Sequence, residues 1–553
     1  MSPDEPSKPE QSPSPTNLRV VKAEPRGAIT LSGTKSIGMR HVLRAARTPP
    51  RYLGAFRAAC SSAAGCVIPR NFARDSTMTN KRYPARANRK LATFGCLTAM
   101  LVCVSPNASA IEAELLPPRA DLRDALLRAR DEGRLLAPAM MWPVTLATAR
   151  AAGVDAEACE SRIAFDAQAN EGERIVLGFG DGAPAEWRIG AATCLAPGRS
   201  VVARLHVNVE DSSGDRRTHL DGSHIGFVWQ GALVSAGAVE RFWGPGWAGS
   251  LILGDNARPI PAVSVRRADP TRAFETRWLS WLGPWDAEVF FGQLQGHTEP
   301  RAPRLAGMRI ELSPTRWLAL GASRTIQWGG EGRSNSLRAL WNAFTGSDNV
   351  GASGVTAANE PGNQLAGFDI RASLAPIGAP VAIYTQWIGE DEAGYRPSKY
   401  MASSGVEAWF ESTGWRWRAV LEHVDTVVGV HDEFPGTAYR HHIYRQGYTQ
   451  HGRILGFSLG TDIRAAVAQL HAFSGGPWSG SVQALSGRAN PASIATLPFA
   501  GDSVVQGVEF RARYAMGRYG AVELRYGRSR YTTAGAGEVR EHIGGIAIAL
   551  RAW

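Results

Sequence analysis

The chain has 553 residues, of which 44% are hydrophobic and 20% are charged, so it is long and apolar enough to bury a large core. Its formal net charge of +11 is concentrated at the start, because residues 1–110 hold 17 Lys and Arg against 5 Asp and Glu. The remaining residues hold 44 basic and 45 acidic side chains, which excludes a nucleic-acid-binding function based on charge.

The first part of the chain predicts a leader followed by an export signal. Residues 78–110 contain a basic stretch, an apolar run over Leu91–Val104 and small residues ending at Ala110, in the order typical of a secretory signal peptide. The apolar run is too short to span a membrane as a helix. We interpret residues 1–77 as a disordered leader or an over-extended gene start. An uncleaved anchor or a buried helix is the alternative for the apolar run.

Residues 111–165 predict a small helical segment that would lie in the periplasm after export. Within Ala120–Leu136, leucines recur at helical spacing and charged residues occupy the opposite face. Gly133 is expected to stop or bend this helix, and Thr145–Ala151 to form a second short one.

Two cysteines follow the predicted signal, Cys159 and Cys194. An exported location permits a disulfide between them, which would close a loop of about 35 residues and stabilise the fold by roughly 2–4 kcal/mol. Two unpaired, buried thiols are the alternative.

From residue 166 to residue 553 the hydrophobic period changes to two, which is typical of β-strands. In "WRWRAVLE" (415–422) and "VVQGVEFRARY" (504–514), apolar and charged residues alternate. Soluble sandwiches, propellers and outer-membrane barrels all have such strands. The export signal and the lack of a long apolar run favour an all-β transmembrane antiparallel barrel, with its polar face inward. Further predicted strands include Gly226–Val234 and Arg453–Leu459.

Glycine-rich stretches offer little support for nucleotide binding. "GGEGR" (329–333) and "WGPGWAGS" (243–250) have no lysine and no following helix, so they lack the parts of a phosphate-binding loop. We expect these glycines to serve turns, bulges or close backbone approach in a barrel wall.

Metal and catalytic sites are equally weakly supported. His441 and His442 lack reliable ligand spacing, and a solvated loop explains them better. Ser458, His451 and Asp462 lie near one another in sequence without a nucleophile elbow. We therefore expect no cofactor, no metal and no enzymatic activity. A barrel enzyme acting on lipid or polysaccharide is the remaining catalytic alternative.

Several stretches between about residues 120 and 460 resemble segments of one known protein family and occur in the same order as in that family. They include "RFWGPGWAGSLILGDNARPIP" (241–261), "RTIQWGGEGR" (324–333), "ALWNAFTGSDNV" (339–350) and "YRHHIYRQGYTQHGRILG" (439–456). Together with the helical segment, the set resembles the Wzi family of capsule-assembly outer-membrane proteins. That resemblance implies a barrel of about eighteen strands. It also implies a lectin-like role in attaching capsular polysaccharide to the cell surface.

The side chains in these stretches suit sugar binding. Tryptophan and tyrosine stack on apolar sugar faces, and arginine binds uronic-acid carboxylates with paired hydrogen bonds. The candidate polysaccharide contacts are Arg241, Trp243, Trp247, Asn256, Arg258, Trp328, Glu331, Arg333, Tyr439, Arg440, Tyr444 and Arg445. The same residues could instead form interface belts and lumen salt bridges. "SLIL" (250–253) is expected to be a short strand.

The expected partners are capsular or extracellular polysaccharide and outer-membrane lipid, with polysaccharide export machinery as a further candidate and no nucleic acid. A porin or other diffusion channel is the alternative function, because its strands would show the same alternation.

Overall fold

The computed structural model describes residues 113–154, 159, 164–171, 174–198, 200–212, 214–344, 362–393, 396–429, 433–489, 502–533 and 537–551. The predicted leader and signal, residues 1–110, lie outside the described residues, as does all of "TGSDNV" (345–350) in the 339–350 motif. Among the described residues, no helix is long and apolar enough to cross a bilayer.

Within the described residues, eighteen antiparallel strands close into one barrel, and each strand pairs with its neighbours in the chain. Their bounds are β1 Ala164–Glu171, β2 Trp187–Leu195, β3 Val201–Ser212, β4 Asp215–His219 continuing as His224–Trp229, β5 Ala232–Ala238, β6 Pro261–Arg267, β7 Trp285–Gln293, β8 Arg304–Thr315, β9 Leu318–Trp328, β10 Gly362–Ser373, β11 Val381–Ala393, β12 Arg396–Ser412, β13 Trp415–Asp425, β14 Ile463–Ser474, β15 Trp478–Ala489, β16 Val504–Ala515, β17 Gly520–Thr533 and β18 Gly537–Arg551.

Closure comes from the pairing of the last strand with the first, where Arg551 lies opposite Ala164. β4 is a single strand with a break in its middle, because both of its parts pair with β3. The predicted fold class, a closed antiparallel barrel, is confirmed.

The alternation seen in the sequence corresponds to the two faces of the wall. In β13, Arg418 and Glu422 are buried inside the barrel, whereas Leu421 points outward and is 60% exposed. In β16, Glu509 is buried and Phe510 is 46% exposed. An apolar outer face over a polar inner face is what a barrel in a bilayer requires.

Three predicted strands are wrong in detail. Gly226–Val234 contains a tight turn, because Gln230 and Gly231 both have positive φ and separate β4 from β5. Arg453–Leu459 lies inside the lumen, and only its first two residues pair, with Thr449–Gln450. "SLIL" forms no strand and makes one isolated bridge, between Leu253 and Trp243. Short apolar runs that are buried from every side have no strand period to detect.

Three α-helices are described: α1 Ala120–Asp131, α2 Leu146–Ala151 and α3 Leu337–Phe344. The leucine face of α1 is buried, and Gly133 follows the helix with a φ of +80°, as predicted. The Thr145 hydroxyl accepts a hydrogen bond from the Thr148 amide at 3.3 Å and so caps α2. The expectation that no helix follows "GGEGR" (329–333) is wrong, because α3 begins at Leu337, between β9 and β10.

The two ends of the barrel differ in their connections. At the short-turn end, turns such as 230–231, 316–317 and 413–414 join neighbouring strands. At the long-loop end, the connections include 239–260 and 426–462. α1 lies inside the short-turn end.

The lumen is filled by two apolar clusters. The cluster toward the long-loop end combines inward strand residues with side chains from 239–260 and 426–462. The other combines α1 with residues such as Trp142, Phe242 and Trp247. Loops that fold inward therefore give this barrel a packed core.

Cys159 and Cys194 are joined by a disulfide in the structure, with 5.6 Å between their Cα atoms. They pack in a small apolar cluster with Ala113, Val202 and Leu233. The bridge links the segment before β1 to the end of β2.

Candidate functional site

Residues 241–260, which the sequence singled out as aromatic and glycine-rich, form an inward plug. Trp247 is fully buried, and its indole N–H donates to Glu407 at 3.0 Å. Its backbone N–H donates to Glu422 at 2.8 Å, and the Arg123 guanidinium lies 4.5 Å from its ring. Contacts from α1, β12 and β13 thus hold this tryptophan at the centre of the lumen.

The other four candidate residues of the plug also have partners inside the protein. Arg241 donates to Glu288 at 2.8 Å. Trp243 packs against Phe290 with 5.6 Å between ring centroids.

The amide of Asn256 donates to the Ile454 carbonyl at 2.8 Å, and its oxygen accepts from Arg453 at 3.0 Å. Arg258 donates to Asp221 at 2.6 Å. These contacts join the plug to other segments of the chain.

Three further candidates near the long-loop end are buried. Trp328 is 3% exposed at the end of β9 and packs in a small apolar cluster with Ile326. The Tyr439 hydroxyl donates to the Leu251 carbonyl at 2.8 Å, and Tyr444 is fully buried. Sugar contact at these three positions, or at the five in the plug, would require the loops to open.

The four remaining candidates lie on a surface at the long-loop end, which we call the rim surface. It is formed by residues 297–301, 329–344 and 439–446. Glu331 lies 3.3 Å from Arg301, and Arg445 lies 2.9 Å from Glu299. Arg333 and Arg440 are half-buried beside them.

Backbone contacts hold the three loops of the rim surface together. The Glu331 amide donates to the Arg301 carbonyl at 2.9 Å, and the Arg445 amide donates to the Glu299 carbonyl at 3.0 Å. The side-chain oxygen of Gln446 accepts from the Glu299 amide at 3.3 Å. The rim surface is therefore an ordered patch on which charged side chains project outward.

An aromatic side chain that the sequence analysis did not select also lies on the rim surface. Trp341 of α3 is 62% exposed and packs beside Phe344 with 5.6 Å between ring centroids. Its signal was present, because it lies in the quoted stretch "ALWNAFTGSDNV". Arg301 and Glu299 were missed because isolated charged residues in a loop carry no pattern.

Charged side chains form a continuous network between α1 and the barrel wall. Arg371 of β10 binds Asp131 of α1 through two hydrogen bonds, at 2.9 and 2.7 Å. Glu407 of β12 accepts from Arg371 at 2.6 Å and from Arg418 at 2.7 Å. Arg418 also donates to Asp124 of α1 at 2.7 Å. Each buried charge therefore has an opposite partner, as burial demands.

One carboxyl group in the plug has a strongly raised pKa. Burial and the nearby Asp181 and Glu240 carboxylates raise the pKa of Asp255 to about 7. Asp255 accepts a hydrogen bond from the Gly180 amide at 2.6 Å.

The residues weighed for catalysis do not form a triad. His451 bonds to Gln295 at 3.0 Å, and Asp462 accepts from the Gly436 amide at 2.9 Å. Neither hydrogen bond joins two of the three residues Ser458, His451 and Asp462, so the contacts that a catalytic triad requires are not formed.

Among the described residues, Glu114, Cys159 and Cys194 form the group whose side chains are of metal-ligating types and lie close enough together to share an ion. The two cysteine sulfurs are bonded to each other and are not thiolates, so this group does not fit a metal. His441 and His442 stack on each other at the rim surface, with 4.5 Å between ring centroids.

Comparison with known proteins identifies relatives of this barrel. The model of the family described as "Capsule assembly protein Wzi" matches residues 178–476. A Klebsiella pneumoniae protein described as an uncharacterized 55.8 kDa protein in the cps region is 40% identical over 252 residues, which is 45% of this chain and 48% of that protein. The chain thus spans about half the length of the curated relative it matches.

A solved structure matches over a larger share. Escherichia coli Wzi is described as an outer membrane protein involved in group 1 capsule assembly and as a carbohydrate-binding β-barrel. It is 27% identical, with a TM-score of 0.69, over 79% of this chain and 99% of that one.

Proposed function

Because the chain belongs to the Wzi family of capsule assembly proteins, we propose that it binds capsular or extracellular polysaccharide and holds it at the cell surface. The rim surface is the proposed binding site. This role needs adhesion to the polymer and no bond-making step, so we propose a non-enzymatic protein.

The barrel architecture supports an orientation for this activity. The chain is an outer-membrane barrel, and in such barrels the short turns face the periplasm and the long loops face outward. The rim surface would then meet polymer outside the cell, whereas α1 would lie on the periplasmic side. Export would follow cleavage of the signal near Ala110, which N-terminal sequencing of the mature protein tests. Polysaccharide export machinery would be reached from the periplasmic side.

The observation that carries the proposal is the combination of an exposed indole and projecting ion pairs on one ordered patch. The face of Trp341 can stack on an apolar sugar face. Arg445 and Arg333 can bind a uronate carboxylate, and Glu331 can accept from hydroxyl groups. Solvent-exposed ion pairs are weak, so exchanging Glu299 for a sugar carboxylate costs Arg445 little.

The filled lumen argues against the diffusion-channel alternative. Trp247, Trp243 and Tyr439 are each at most 2% exposed within it. A channel of the porin type needs a water-filled path instead. Planar-bilayer recordings of the purified barrel should therefore show no steady open-state current.

Deletion of the gene tests the proposed function in the cell. Polymer synthesis should continue while the cell-attached fraction falls and the fraction in the medium rises. Re-expression of the intact chain is the matched control. Unchanged cell-attached polymer in the deletion strain would overturn the proposal.

A further inference from the structure

We propose that a cleft at the short-turn end of the lumen binds a carboxylate-bearing sugar of about one ring, at a site separate from the rim surface. This lumen cleft has a volume of about 210 Å³. Its walls are the start of α1, the 178–180 turn and the inner faces of β14 to β17. One water needs about 15 Å³ on the same kind of measure, so the cleft has room for a small organic ligand.

An unsatisfied buried amide lines the lumen cleft. Gln469 of β14 is 4% exposed, and its side-chain oxygen bonds to His471 Nε2 at 2.9 Å. Its Nε2 has no hydrogen-bond partner among the described residues. Leaving a buried amide donor unpaired is unfavourable, so an acceptor on a ligand that reached it would stabilise the complex.

The lumen cleft also favours negative charge. The start of α1 lies in its wall, and Arg119 at the N-cap makes no side-chain cap to the helix. The first turn of a helix exposes backbone N–H groups and carries partial positive charge, which attracts carboxylates. The Asp121 carboxylate accepts from the Leu122 amide in this turn, and the Gln469 amide is a further donor in the wall that has no acceptor.

One arginine supplies a full positive charge to the cleft. Arg513 of β16 lines it, and its charge attracts the carboxylate of Asp121, which lies in the same wall. Its neighbour Arg511 is committed to Asp181, at 2.6 Å, and to Glu509, at 2.7 Å. The two carboxylates in the lining have other arginine partners: Asp121 pairs with Arg119 at 2.5 Å, and Glu523 pairs with Arg525 at 2.6 Å. Arg513 is therefore the arginine that can bind a ligand carboxylate through two parallel hydrogen bonds.

The rest of the lining suits a hydroxylated ring rather than a bare anion. Phe179 and Phe473 supply apolar surface, and the hydroxyls of Ser479 and Ser481 lie in the wall between β14 and β16. Apolar faces next to hydroxyl and amide groups match a sugar ring, whose faces are apolar and whose edge is polar. An acidic sugar satisfies the arginine, the amide and the aromatic surface together.

The proposed ligand site does not depend on polymer binding at the rim surface. The residues that line the lumen cleft lie toward the short-turn end, and Trp247 of the plug packs against one of them, His471. Loss of one site should leave the other intact, so their failures are distinguishable.

The test measures binding of sodium D-glucuronate to the purified full chain in detergent, by isothermal titration calorimetry. Glucose supplies the ring without the charge, and acetate and phosphate supply charge without the ring. The variants are Arg513→Gln and Gln469→Leu, with Arg518→Gln in the neighbouring turn as the matched control. Heat-modifiable migration on gels reports whether each variant is folded.

We expect saturable glucuronate binding that Arg513→Gln weakens about tenfold or more, since hydrogen bonds to charged groups contribute about 1.5–3 kcal/mol. Gln469→Leu should weaken it severalfold, and Arg518→Gln should leave it unchanged. Absence of saturable glucuronate binding would overturn the proposal. So would equal affinity in the folded Arg513→Gln variant, and so would acetate or phosphate binding as tightly as glucuronate.

Discussion

Arg371 and Asp131 are joined by two parallel hydrogen bonds, at 2.9 and 2.7 Å, that fasten the end of α1 to the wall of the barrel. The two residues lie 240 positions apart in the chain. Arg371 also donates to Glu407, so the link belongs to a network of buried charges inside the lumen. This helix is therefore an integral part of the barrel interior.

Removal of Asp131 should destabilise the protein strongly. Asp131→Ala would leave the Arg371 guanidinium buried with one acidic partner fewer, and breaking a buried pair in this way costs about 3–5 kcal/mol. Guanidinium unfolding in detergent, followed by tryptophan fluorescence, measures the change. The matched control is Glu132→Ala, which removes an exposed ion pair with Arg134 and should change the free energy of unfolding by about 1 kcal/mol or less. Equal effects from the two variants would contradict the role given to Asp131.

The plug should contribute stability through its central tryptophan. Trp247→Ala would empty a fully buried site and leave Glu407 without the indole donor. We expect a loss of about 3–5 kcal/mol in the free energy of unfolding. Trp281→Ala serves as the control, because Trp281 is 69% exposed and its removal should have little effect. A similar denaturant midpoint for the Trp247→Ala and Trp281→Ala variants would show that the plug does not contribute to the stability of the fold.

Asp255 should make stability depend on pH. Its folded pKa of about 7 lies above the value of about 3.8 for an ordinary aspartate. The folded state therefore favours the protonated carboxyl. The resulting contribution to the free energy of unfolding is complete below about pH 3.8 and is lost as the pH rises through about 7.

Asp255→Asn keeps an acceptor for the Gly180 amide and cannot ionise. Relative to the unmodified chain, its melting temperature should rise between pH 5 and pH 8.5. Asp502→Asn, at an exposed loop position, is the control without this trend. A difference that stays constant with pH would rule out the ionisation of Asp255 as the cause.

The bridge between Cys159 and Cys194 should stabilise the fold by restricting the unfolded chain. The bridge closes a loop with a sequence separation of 35 residues. Replacing both cysteines by serine should lower the free energy of unfolding by about 2–4 kcal/mol. The difference should vanish when both proteins are unfolded under reducing conditions. Maleimide labelling of the unfolded, non-reduced protein would instead show that the two thiols are free.

Polymer binding at the rim surface should depend on Trp341 and Arg445. The double variant Trp341→Ala with Arg445→Gln should retain about one tenth or less of the polysaccharide that the unmodified barrel pulls down, since stacking and charged hydrogen bonds each contribute about 1 kcal/mol or more. Both side chains are exposed, so folding should be preserved. Trp281→Ala, near a connection at the short-turn end, should bind normally. Full retention by the double variant would move the binding site away from the rim surface.

Local patterns were sufficient to predict the wall and the first two helices. Alternation in 415–422 and 504–514 placed Glu422 and Glu509 inward and Leu421 and Phe510 outward, because successive side chains on a strand point to opposite faces. Helical spacing and Gly133 likewise located α1 and its end. These features depend on residues that are neighbours in the chain.

Contacts with residues far away in the chain decided whether the aromatic and glycine-rich stretches are buried or exposed. Trp247 is held by Glu422, which lies 175 residues away, and Tyr439 by Leu251, which lies 188 residues away. An exposed sugar-binding loop and an inward plug have the same composition, since both need aromatic area and close backbone approach.

The sequence by itself therefore determined the barrel class, the faces of its strands and its family. Only the tertiary structure decided that eight of the twelve candidate contacts lie inside the barrel, leaving Glu331, Arg333, Arg440 and Arg445 at the rim surface. The physical reason is that strand alternation is a local property of the backbone. Burial of a loop depends instead on which oppositely charged side chains and cavities the closed barrel places next to that loop.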